Sequence, residues 1–284
     1  MRLVIISGRS GSGKTTALRA LEDAGYNCID NFPVVLLQSL VHDALRDPDQ
    51  LKANIAVCID ARSRSLARFA EILLALDRMN VDCQVIYLDA QSATLVKRFS
   101  ETRRRHPLTN ATTDLLQAIE AERELLENIA DLADLTLDTT LLRGRELTEL
   151  IRERVVGGAR NGLSLLFRSF GFKFGVPVDV DLVFDLRCLP NPYWVPELSQ
   201  LTGRDAPVIR YLDGNALVRE MEEDLSGYLE RWLPRFENDQ RTYLTVAIGC
   251  TGGQHRSVYM VEKLAARFRG RFADVLVRHR ELGA

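Results

Sequence analysis

The chain has 284 residues, of which 37 are basic and 39 acidic, so its formal net charge is −2. Charges this close to balance exclude a global field that would draw the protein onto a polyanion. Five cysteines without C-x-x-C spacing argue against a disulfide framework or a zinc site and favour a reducing compartment. No apolar run approaches about 18 residues and no signal peptide precedes the first strand, so we expect a soluble cytoplasmic protein. At this length we expect two domains.

The first motif is a glycine-rich loop that fits G-x-x-x-x-G-K-[ST]. It lies between an apolar strand at residues 2–7 and a helical pattern that begins at Thr16. Glycines let successive backbone amides turn toward one anion, and the helix N-terminus adds the positive end of its dipole. The expected nucleotide-binding residues are Gly8, Arg9, Ser10, Gly11, Ser12, Gly13, Lys14 and Thr15. Lys14 would reach the β- and γ-phosphates and the Thr15 hydroxyl would hold Mg²⁺; the alternative is a turn that only caps a helix.

Polar residues follow the next strands. Asp30 and Asn31 end a short strand, and Asp60 ends the apolar run of residues 53–59, which is the usual form of a Walker B carboxylate that holds Mg²⁺. Strand C-terminal ends face the ligand crevice of a parallel sheet, so these groups would lie near the phosphates. Asp89, after a fourth strand, is a weaker rival for the metal. Helix capping by these residues, and by Ser63, is the alternative interpretation.

A basic cluster follows the fourth strand. Residues 97–107 form a helix that carries Arg103, Arg104 and Arg105 and is broken by Pro107. Small P-loop kinases have an arginine-rich lid at this point in the chain, so the arginines could clamp phosphates; a solvated helix end explains them equally well. Helices at residues 114–132 and 145–155 flank a short strand at 135–138. Alternating strands and helices predict a doubly wound parallel sheet of the P-loop NTPase type in an α/β protein.

Residues 157–162 are rich in glycine and lack periodicity, so we place a linker there between domains at 1–156 and 163–284. The second domain is also predicted to be α/β. Residues 163–167 and 180–185 are typical of strands, and residues 217–236 of a helix. The most apolar strand, residues 243–250, leads directly into a turn and a helix that extends to Phe268.

That turn contains a second motif typical of phosphate binding. Cys250 and Arg256 have the C-x-x-x-x-x-R spacing of cysteine phosphatases, between a strand and a helix. The guanidinium of Arg256 could grip an anion, with the amides of Thr251, Gly252 and Gly253 around it. Binding is favoured over catalysis, because Gly249 stands where that pattern usually has a histidine. A tight turn around a buried cysteine is the alternative.

The last thirty residues are locally basic. Arg278, His279 and Arg280 lie among further arginines at 267, 269 and 271. Such a patch could contact an RNA backbone, and a solvated basic face is an equally good explanation.

Together these residues resemble the RapZ family, the RNase adapter proteins also described as P-loop nucleotide-binding proteins. The resemblance covers essentially the whole chain. It rests on the loop at residues 8–15, on Asp30-Asn31-Phe32-Pro33, on Asp60-Ala61-Arg62-Ser63, on Leu189-Pro190-Asn191-Pro192 and on residues 249–257.

The resemblance implies that residues 8–15 bind ATP and that a GTP-associated segment consists of Asp60, Ala61, Arg62 and Ser63, with weak ATPase and GTPase activity. It implies that an amino-sugar phosphate, glucosamine-6-phosphate, binds in a pocket in the second domain. The residues expected there are Asp185, Cys250, Thr251, Gly252, Gly253, His255 and Arg256. It also implies a homo-oligomer that presents a small regulatory RNA to RNase E.

Two departures from the family pattern affect these expectations. Tyr193 stands where enterobacterial members have histidine, which puts sugar-phosphate affinity in question. Their lysine-rich C-terminal tail is replaced by Glu281-Leu282-Gly283-Ala284, which weakens the RNA-binding inference. The competing hypotheses are a small-molecule kinase built on the loop, and a cysteine phosphatase in the second domain with Asp185 or Asp213 as its acid.

Overall fold

The computed structural model describes residues 1–46, 54–63, 65–79, 81–102, 105–110, 112–157, 163–239, 241–272 and 274–282. The chain divides into two compact units, Met1–Gly157 and Gly158–Ala284, and each is described by itself. The division falls between Gly157 and Gly158, and the rest of the expected linker, residues 158–162, lies outside the described residues.

The first unit is a parallel sheet flanked by helices. Its strands are β1 (Arg2–Gly8), β2 (Asn27–Ile29), β3 (Asn54–Cys58), β4 (Asp82–Asp89) and β5 (Leu135–Asp138), in the order β2-β3-β1-β4-β5. Its helices are α1 (Lys14–Glu22), α2 (Leu37–Arg46), α3 (Phe69–Arg78), α4 (Ser92–Thr102), α5 (Leu115–Asp131) and α6 (Gly144–Ile151). Every pair of neighbouring strands is parallel, so all five C-terminal ends meet at one edge.

The central strand explains the apolar run at the start of the chain. Leu3, Val4, Ile5 and Ile6 of β1 are all fully buried. A parallel sheet covered on both faces needs such a continuous apolar strand rather than an alternating one. The expected doubly wound α/β fold is therefore confirmed for this unit. Short 3₁₀ turns at Val34–Leu36 and Leu66–Arg68 precede α2 and α3.

The second unit is a smaller parallel sheet. Its strands are β6 (Ser164–Gly171), β7 (Leu182–Asp185), β8 (Tyr243–Cys250) and β9 (Asp274–His279), in the order β7-β8-β6-β9. Its helices are α7 (Ala206–Asp213), α8 (Ala216–Asn238) and α9 (Arg256–Phe268). All three strand pairs are parallel. The sequence interpretation lacked α7 and β9, and it ended the first strand of this unit four residues before Gly171.

The helices of this unit pack one apolar face each against the sheet. Met260, Val261 and Leu264 of α9 and Leu229 of α8 are fully buried in one cluster with the strand residues Leu244 and Val246. Burial of an aliphatic side chain of this size contributes about 1.5 to 3 kcal/mol. This core holds the C-terminal end of β8 and the N-terminal end of α9 together, and the turn between them forms the second candidate site.

Candidate functional site

The glycine-rich loop joins β1 to α1 at the C-terminal edge of the first sheet. Gly8 has φ 138°, and a Cβ atom at this position would lie 2.0 Å from the carbonyl oxygen of Leu88 in β4. Only glycine fits where the loop leaves the sheet, because a side chain would overlap the neighbouring strand. The loop ends at Gly13, which precedes the first residue of α1.

The loop turns its amides and its lysine toward a shared space. Within the described part of the chain, the amides of Gly11, Gly13, Lys14 and Thr15 form no hydrogen bond. The Lys14 ammonium donates to the carbonyl oxygens of Gly8 at 2.6 Å and Arg9 at 3.1 Å. Unpaired amides at a helix N-terminus, beside an ammonium held only by loop carbonyls, form a site for a phosphate group.

Arg9 of the loop has a structural task. Its side chain is buried, and it donates to Asp89 Oδ1 at 2.6 Å, to Ser92 Oγ at 3.0 Å and to the carbonyl of Ala90. The guanidinium thus ties the loop to the end of β4. Asp89, the weaker candidate for a metal ligand, uses its carboxylate in the ion pair with Arg9.

Ser10 and Ser12 hold the loop in place through hydrogen bonds to buried groups and within the loop. The amide and the hydroxyl of Ser10 both donate to the buried carboxylate of Glu122, each at 2.7 Å. The amide of Ser12 closes a tight turn onto the carbonyl of Arg9, and its carbonyl accepts from the buried hydroxyl of Thr139. Glu122 was missed at the sequence level, although a charged residue among the apolar positions of α5 was a signal for it.

The ends of β2 and β3 meet the loop. Burial raises the pKa of the Cys58 thiol to about 12; the Lys14 ammonium opposes that shift, and the carboxylates of Asp30 and Asp60 add to it. The Cys58 thiol therefore lies close enough to Lys14, Asp30 and Asp60 for all three charges to shift its pKa. This proximity agrees with the parallel register, which brings the C-terminal ends of these strands to the loop.

Asp60 is buried at the end of β3 and is paired with Arg62. Its carboxylate accepts from the Arg62 side chain at 2.6 and 2.8 Å and from the Arg62 amide at 3.0 Å. Ala61 is nearly buried, and the Ser63 hydroxyl accepts from the amide of Val34. The segment of residues 60–63 thus forms a closed turn at the edge of the sheet that also carries the loop.

Oxygen donors for Mg²⁺ are present beside the loop. Asp60 offers a carboxylate and Thr15 an exposed hydroxyl. Among the described residues, no three histidine, cysteine or acidic side chains converge as a metal cage. Mg²⁺ in nucleotide sites needs only one or two protein oxygens, with phosphates and water supplying the rest, so Thr15 and Asp60 fit it. The Arg62 side chain would have to release part of the Asp60 carboxylate.

One arginine of α4 reaches the loop, and the sequence interpretation did not single it out. Arg98 donates to the carbonyls of Gly11 at 2.9 Å and Thr139 at 2.5 Å. Burial lowers the pKa of this guanidinium. In the expected lid, Arg105 bonds to Thr109, whereas residues 103 and 104 lie outside the described residues.

The second turn follows β8 and precedes α9. Cys250 is buried; its Sγ accepts from the amide of Gly253 at 3.3 Å and lies 3.2 Å from Ser257 Oγ. Gly253 has φ 74°, and a Cβ atom there would lie 2.7 Å from the amide nitrogen of Gly171. The amides of Thr251, Gly252 and Gln254 form no hydrogen bond with any residue that the structure describes. These amides provide a second place for an anion.

Arg256 braces this turn. The side chain is buried and donates to the carbonyls of Leu189 at 2.9 Å and Arg187 at 3.1 Å, and to the Thr251 hydroxyl at 3.3 Å. Its guanidinium therefore holds the segment after β7 against the turn, and one amino group lies beside Thr251 at the anion site.

The two other expected ligand residues flank the turn. Asp185 ends β7 and is paired with Arg187 at 2.7 Å, and this hydrogen bond holds the pKa of the carboxyl below its usual range. His255 is buried and lies 3.1 Å from the carbonyl of Leu198; burial lowers its pKa. At neutral pH His255 is therefore an uncharged member of the turn.

The residues expected to contact RNA lie on and after the edge strand β9. His279 is buried between Ser169 at 2.8 Å and Glu262 at 3.1 Å. Arg280 donates to the carbonyl of Gly171 at 3.0 Å and pairs with Glu281. Arg278 is half-buried. His279 and Arg280 therefore face partners inside the unit.

Comparisons with known proteins match both units. A family model described as the RapZ-like N-terminal domain matches residues 1–159, and one described as the RapZ C-terminal domain matches residues 163–283. A protein of Pseudomonas putida strain GB-1, described as a nucleotide-binding protein, is 54% identical over 284 residues, covering 99% of this chain and 100% of the relative. A nucleotide-binding protein of Nitrosococcus oceani is 55% identical over the same shares of the two chains.

Two solved kinase structures each match about half of this chain, and only distantly. An unliganded sugar kinase from Janibacter is 23% identical with a TM-score of 0.36, over 54% of this chain and 92% of that one. Shikimate kinase from Bacteroides thetaiotaomicron is 13% identical with a TM-score of 0.36, over 53% and 94%. Scores this low carry no weight for fold or function. Among the described residues no helix has the length and apolar character needed to cross a membrane. With family models on both units and full-length relatives at 54% and 55% identity, the chain belongs to the RapZ family.

Proposed function

We propose that this chain is a cytoplasmic nucleotide-binding regulatory protein that binds ATP at residues 8–15 and hydrolyses ATP or GTP weakly. The observation that carries this proposal is the loop itself. Among the residues that the structure describes, the amides of Gly11, Gly13, Lys14 and Thr15 form no hydrogen bond, and the Lys14 ammonium lies against the loop carbonyls. Phosphate oxygens would replace those carbonyls as the partners of the ammonium. The relatives described as nucleotide-binding proteins support the same conclusion.

The expected Mg²⁺ ligands and the GTP-associated segment of residues 60–63 lie at the same edge of the first sheet as the loop. Thr15 and Asp60 would hold Mg²⁺, whose charge would offset the phosphates when the ion is bound. The turn of residues 60–63 would contact GTP, as the family resemblance implies. Arg62 is half-exposed, so its side chain can leave Asp60 for a phosphate oxygen.

Calorimetry with MgATP and MgGTP tests the nucleotide site. We expect saturable binding of ATP to the whole chain and slow hydrolysis of either nucleotide. Absence of binding would remove the proposal. The kinase alternative predicts turnover of about 1 to 100 per second once an acceptor is present. Hydrolysis that stays slow across a panel of sugars and other hydroxyl acceptors would exclude it.

In the second unit we propose a site for an amino-sugar phosphate such as glucosamine-6-phosphate, at the turn of residues 250–256. Unpaired amides of Thr251, Gly252 and Gln254 support an anion there, and Arg256 lies beside them. Replacing Arg256 with alanine should weaken binding of the sugar phosphate by about 1.5 to 3 kcal/mol, the range of a charge-assisted hydrogen bond. Unchanged affinity by calorimetry would refute its role.

The phosphatase alternative uses the same turn. It requires Cys250 as nucleophile, but this side chain is buried and accepts a hydrogen bond from Gly253. Cys250→Ser should therefore leave phosphate binding largely intact. Phosphoester hydrolysis that is present in the wild type and absent in Cys250→Ser would favour the phosphatase instead.

The remaining part of the proposal concerns RNA. By family resemblance, the protein would act as an oligomer that presents a small RNA to RNase E. Filter binding over a range of salt concentrations tests this, because each phosphate contact adds about 0.7 to the log–log slope for a single strand. We expect salt-dependent binding of at least one RNA. Binding that is absent at low salt would remove this part and leave the nucleotide site untouched.

A further inference from the structure

A buried carboxylate lies directly beneath the nucleotide loop. Glu122 stands on the core face of α5, between Ile119 and Leu126, and its side chain is fully buried. One carboxylate oxygen accepts from the Ser10 hydroxyl and the other from the Ser10 amide, both at 2.7 Å. A charge is rarely kept in a core without several hydrogen bonds to it, so this position calls for a further donor.

His106 provides that donor. Its Nε2 lies 3.0 Å from Glu122 Oε2, and the ring is fully buried against Phe99, with 5.1 Å between ring centroids. The amide of Leu108 donates to the other ring nitrogen, Nδ1, at 3.2 Å. Because Nδ1 accepts this hydrogen bond, it carries no hydrogen itself. The ring hydrogen is therefore on Nε2. His106 therefore donates from Nε2, and the Glu122 carboxylate accepts three hydrogen bonds.

These bonds connect two chain segments that are far apart in sequence. His106 lies in the segment after α4, whose turn is closed by hydrogen bonds between Thr109 and both His106 and Arg105. Ser10 lies at the middle of the loop. Its amide donates to Glu122, whereas the amides of Gly11, Gly13, Lys14 and Thr15 form no hydrogen bond with any described residue.

We propose that Glu122 and His106 are positioning residues of the nucleotide site: through Ser10 they hold the loop in the conformation that presents its amides to phosphate. Neither side chain contacts the ligand. This inference rests on the nucleotide site proposed above. Without the His106 donor, a buried carboxylate oxygen loses a partner, and the loop must shift or admit water to satisfy it.

The test compares two replacements of one histidine. His106→Gln keeps a side-chain N–H donor that can reach Glu122, and His106→Leu keeps the bulk without the donor. With MgATP and calorimetry we expect His106→Leu to bind about tenfold more weakly than wild type, whereas His106→Gln stays within about threefold. His42, an exposed histidine of α2, is the matched control, and His42→Leu should change nothing.

A second pair tests the carboxylate. Glu122→Met keeps the length of the side chain but offers no oxygen to the three donors, so it should bind MgATP about tenfold more weakly. Glu124→Met, on the exposed face of the same helix, should have no effect. Equal loss in His106→Gln and His106→Leu, or wild-type affinity in both, would overturn the proposal. If His106→Leu does not fold, the comparison of Glu122→Met with Glu124→Met decides alone.

Hydrogen exchange separates this inference from the proposed function. The loop peptide of residues 8–15 should exchange faster in His106→Leu than in His106→Gln, with no nucleotide present. If the wild type fails to bind ATP, the proposed function fails, but the exchange result still decides whether His106 holds the loop. Equal exchange rates of residues 8–15 in the two variants would contradict a positioning role for His106.

Discussion

The two strand-to-helix turns use their cationic side chains in opposite ways. In the first turn, Arg9 is buried as a structural brace, and the hydrogen bonds of the Lys14 ammonium to described residues go to carbonyls of its own loop. In the second turn no lysine is present, and Arg256 is itself the brace, bonded to carbonyls of the segment after β7. A cation with such local partners can move to a ligand at small cost. Under the proposed function, the first turn would bind phosphate with the Lys14 ammonium as well as with amides, and the second mainly with amides.

The largest expected effect concerns the entry of the first turn. Gly8→Ala should destabilise the first unit by about 2 to 5 kcal/mol, because a positive φ is combined with overlap of the Leu88 carbonyl. Gly25 has a similar positive φ but nothing within 4 Å of its Cβ position, so Gly25→Ala should cost only about 1 to 2 kcal/mol. Urea unfolding followed by far-UV circular dichroism measures both.

The second unit provides an internal control for that experiment. Both tryptophans, Trp194 and Trp232, lie in the second unit, so tryptophan fluorescence follows its unfolding alone. This transition should be the same in wild type, Gly8→Ala and Gly25→Ala. Equal destabilisation by the two substitutions would mean that the contact with Leu88 does not decide the conformation of the loop.

The next effect tests the mobile charge. Lys14→Ala should weaken MgATP by about 1.5 to 3 kcal/mol, which is about 10- to 150-fold, since one charge-assisted interaction with phosphate is lost. Calorimetry with the whole chain measures it. Lys97→Ala, which removes an exposed ammonium near Glu101, is the control and should bind normally. Retained affinity in Lys14→Ala would mean that the two turns do not differ in the way described.

Alkaline pH should affect the first unit through its thiols. Burial raises the pKa of Cys58 and of Cys83 to about 12, above the usual value near 9. Between these values the unfolded chain releases protons that the folded unit keeps, so this stabilisation is complete below pH 9 and is lost as the pH rises toward 12. The free energy of unfolding, measured in urea by circular dichroism, should fall by about 2 kcal/mol per thiol between pH 9 and 11. The double variant Cys58→Ala, Cys83→Ala should show a flatter profile, whereas the exposed Cys188→Ala should not.

The smallest effect is expected in the second unit at acid pH. Burial lowers the pKa of His255 and of His279 below the usual value near 6.5. The unfolded chain then takes up protons first, so stability is complete above pH 6.5 and declines as the pH falls through the lowered values. Tryptophan fluorescence in urea should show this decline, and His255→Gln should reduce its slope. An identical slope in wild type and variant would remove His255 as its cause.

The strongest sequence predictions were those in which a motif had a short-range physical cause. Glycines before a lysine at the start of a helix permit few backbone paths, and an apolar strand before them sets the direction of the chain. The loop at residues 8–15 and the strand at 243–250 were therefore recognisable from local sequence. By contrast, β9 was missed, because arginines around Val275 and Val277 suggested a surface segment.

The sequence by itself determined the doubly wound α/β class, the family and the position of both turns, because apolar periodicity and glycine spacing act within a few residues. Only the tertiary structure decided which charges serve as braces. Arg9 meets Asp89, Arg256 meets the carbonyl of Leu189, and Ser10 meets Glu122 across 112 positions of chain. A hydrogen bond depends on distance and direction in space, and those are set by the packing of strands and helices that no local pattern encodes.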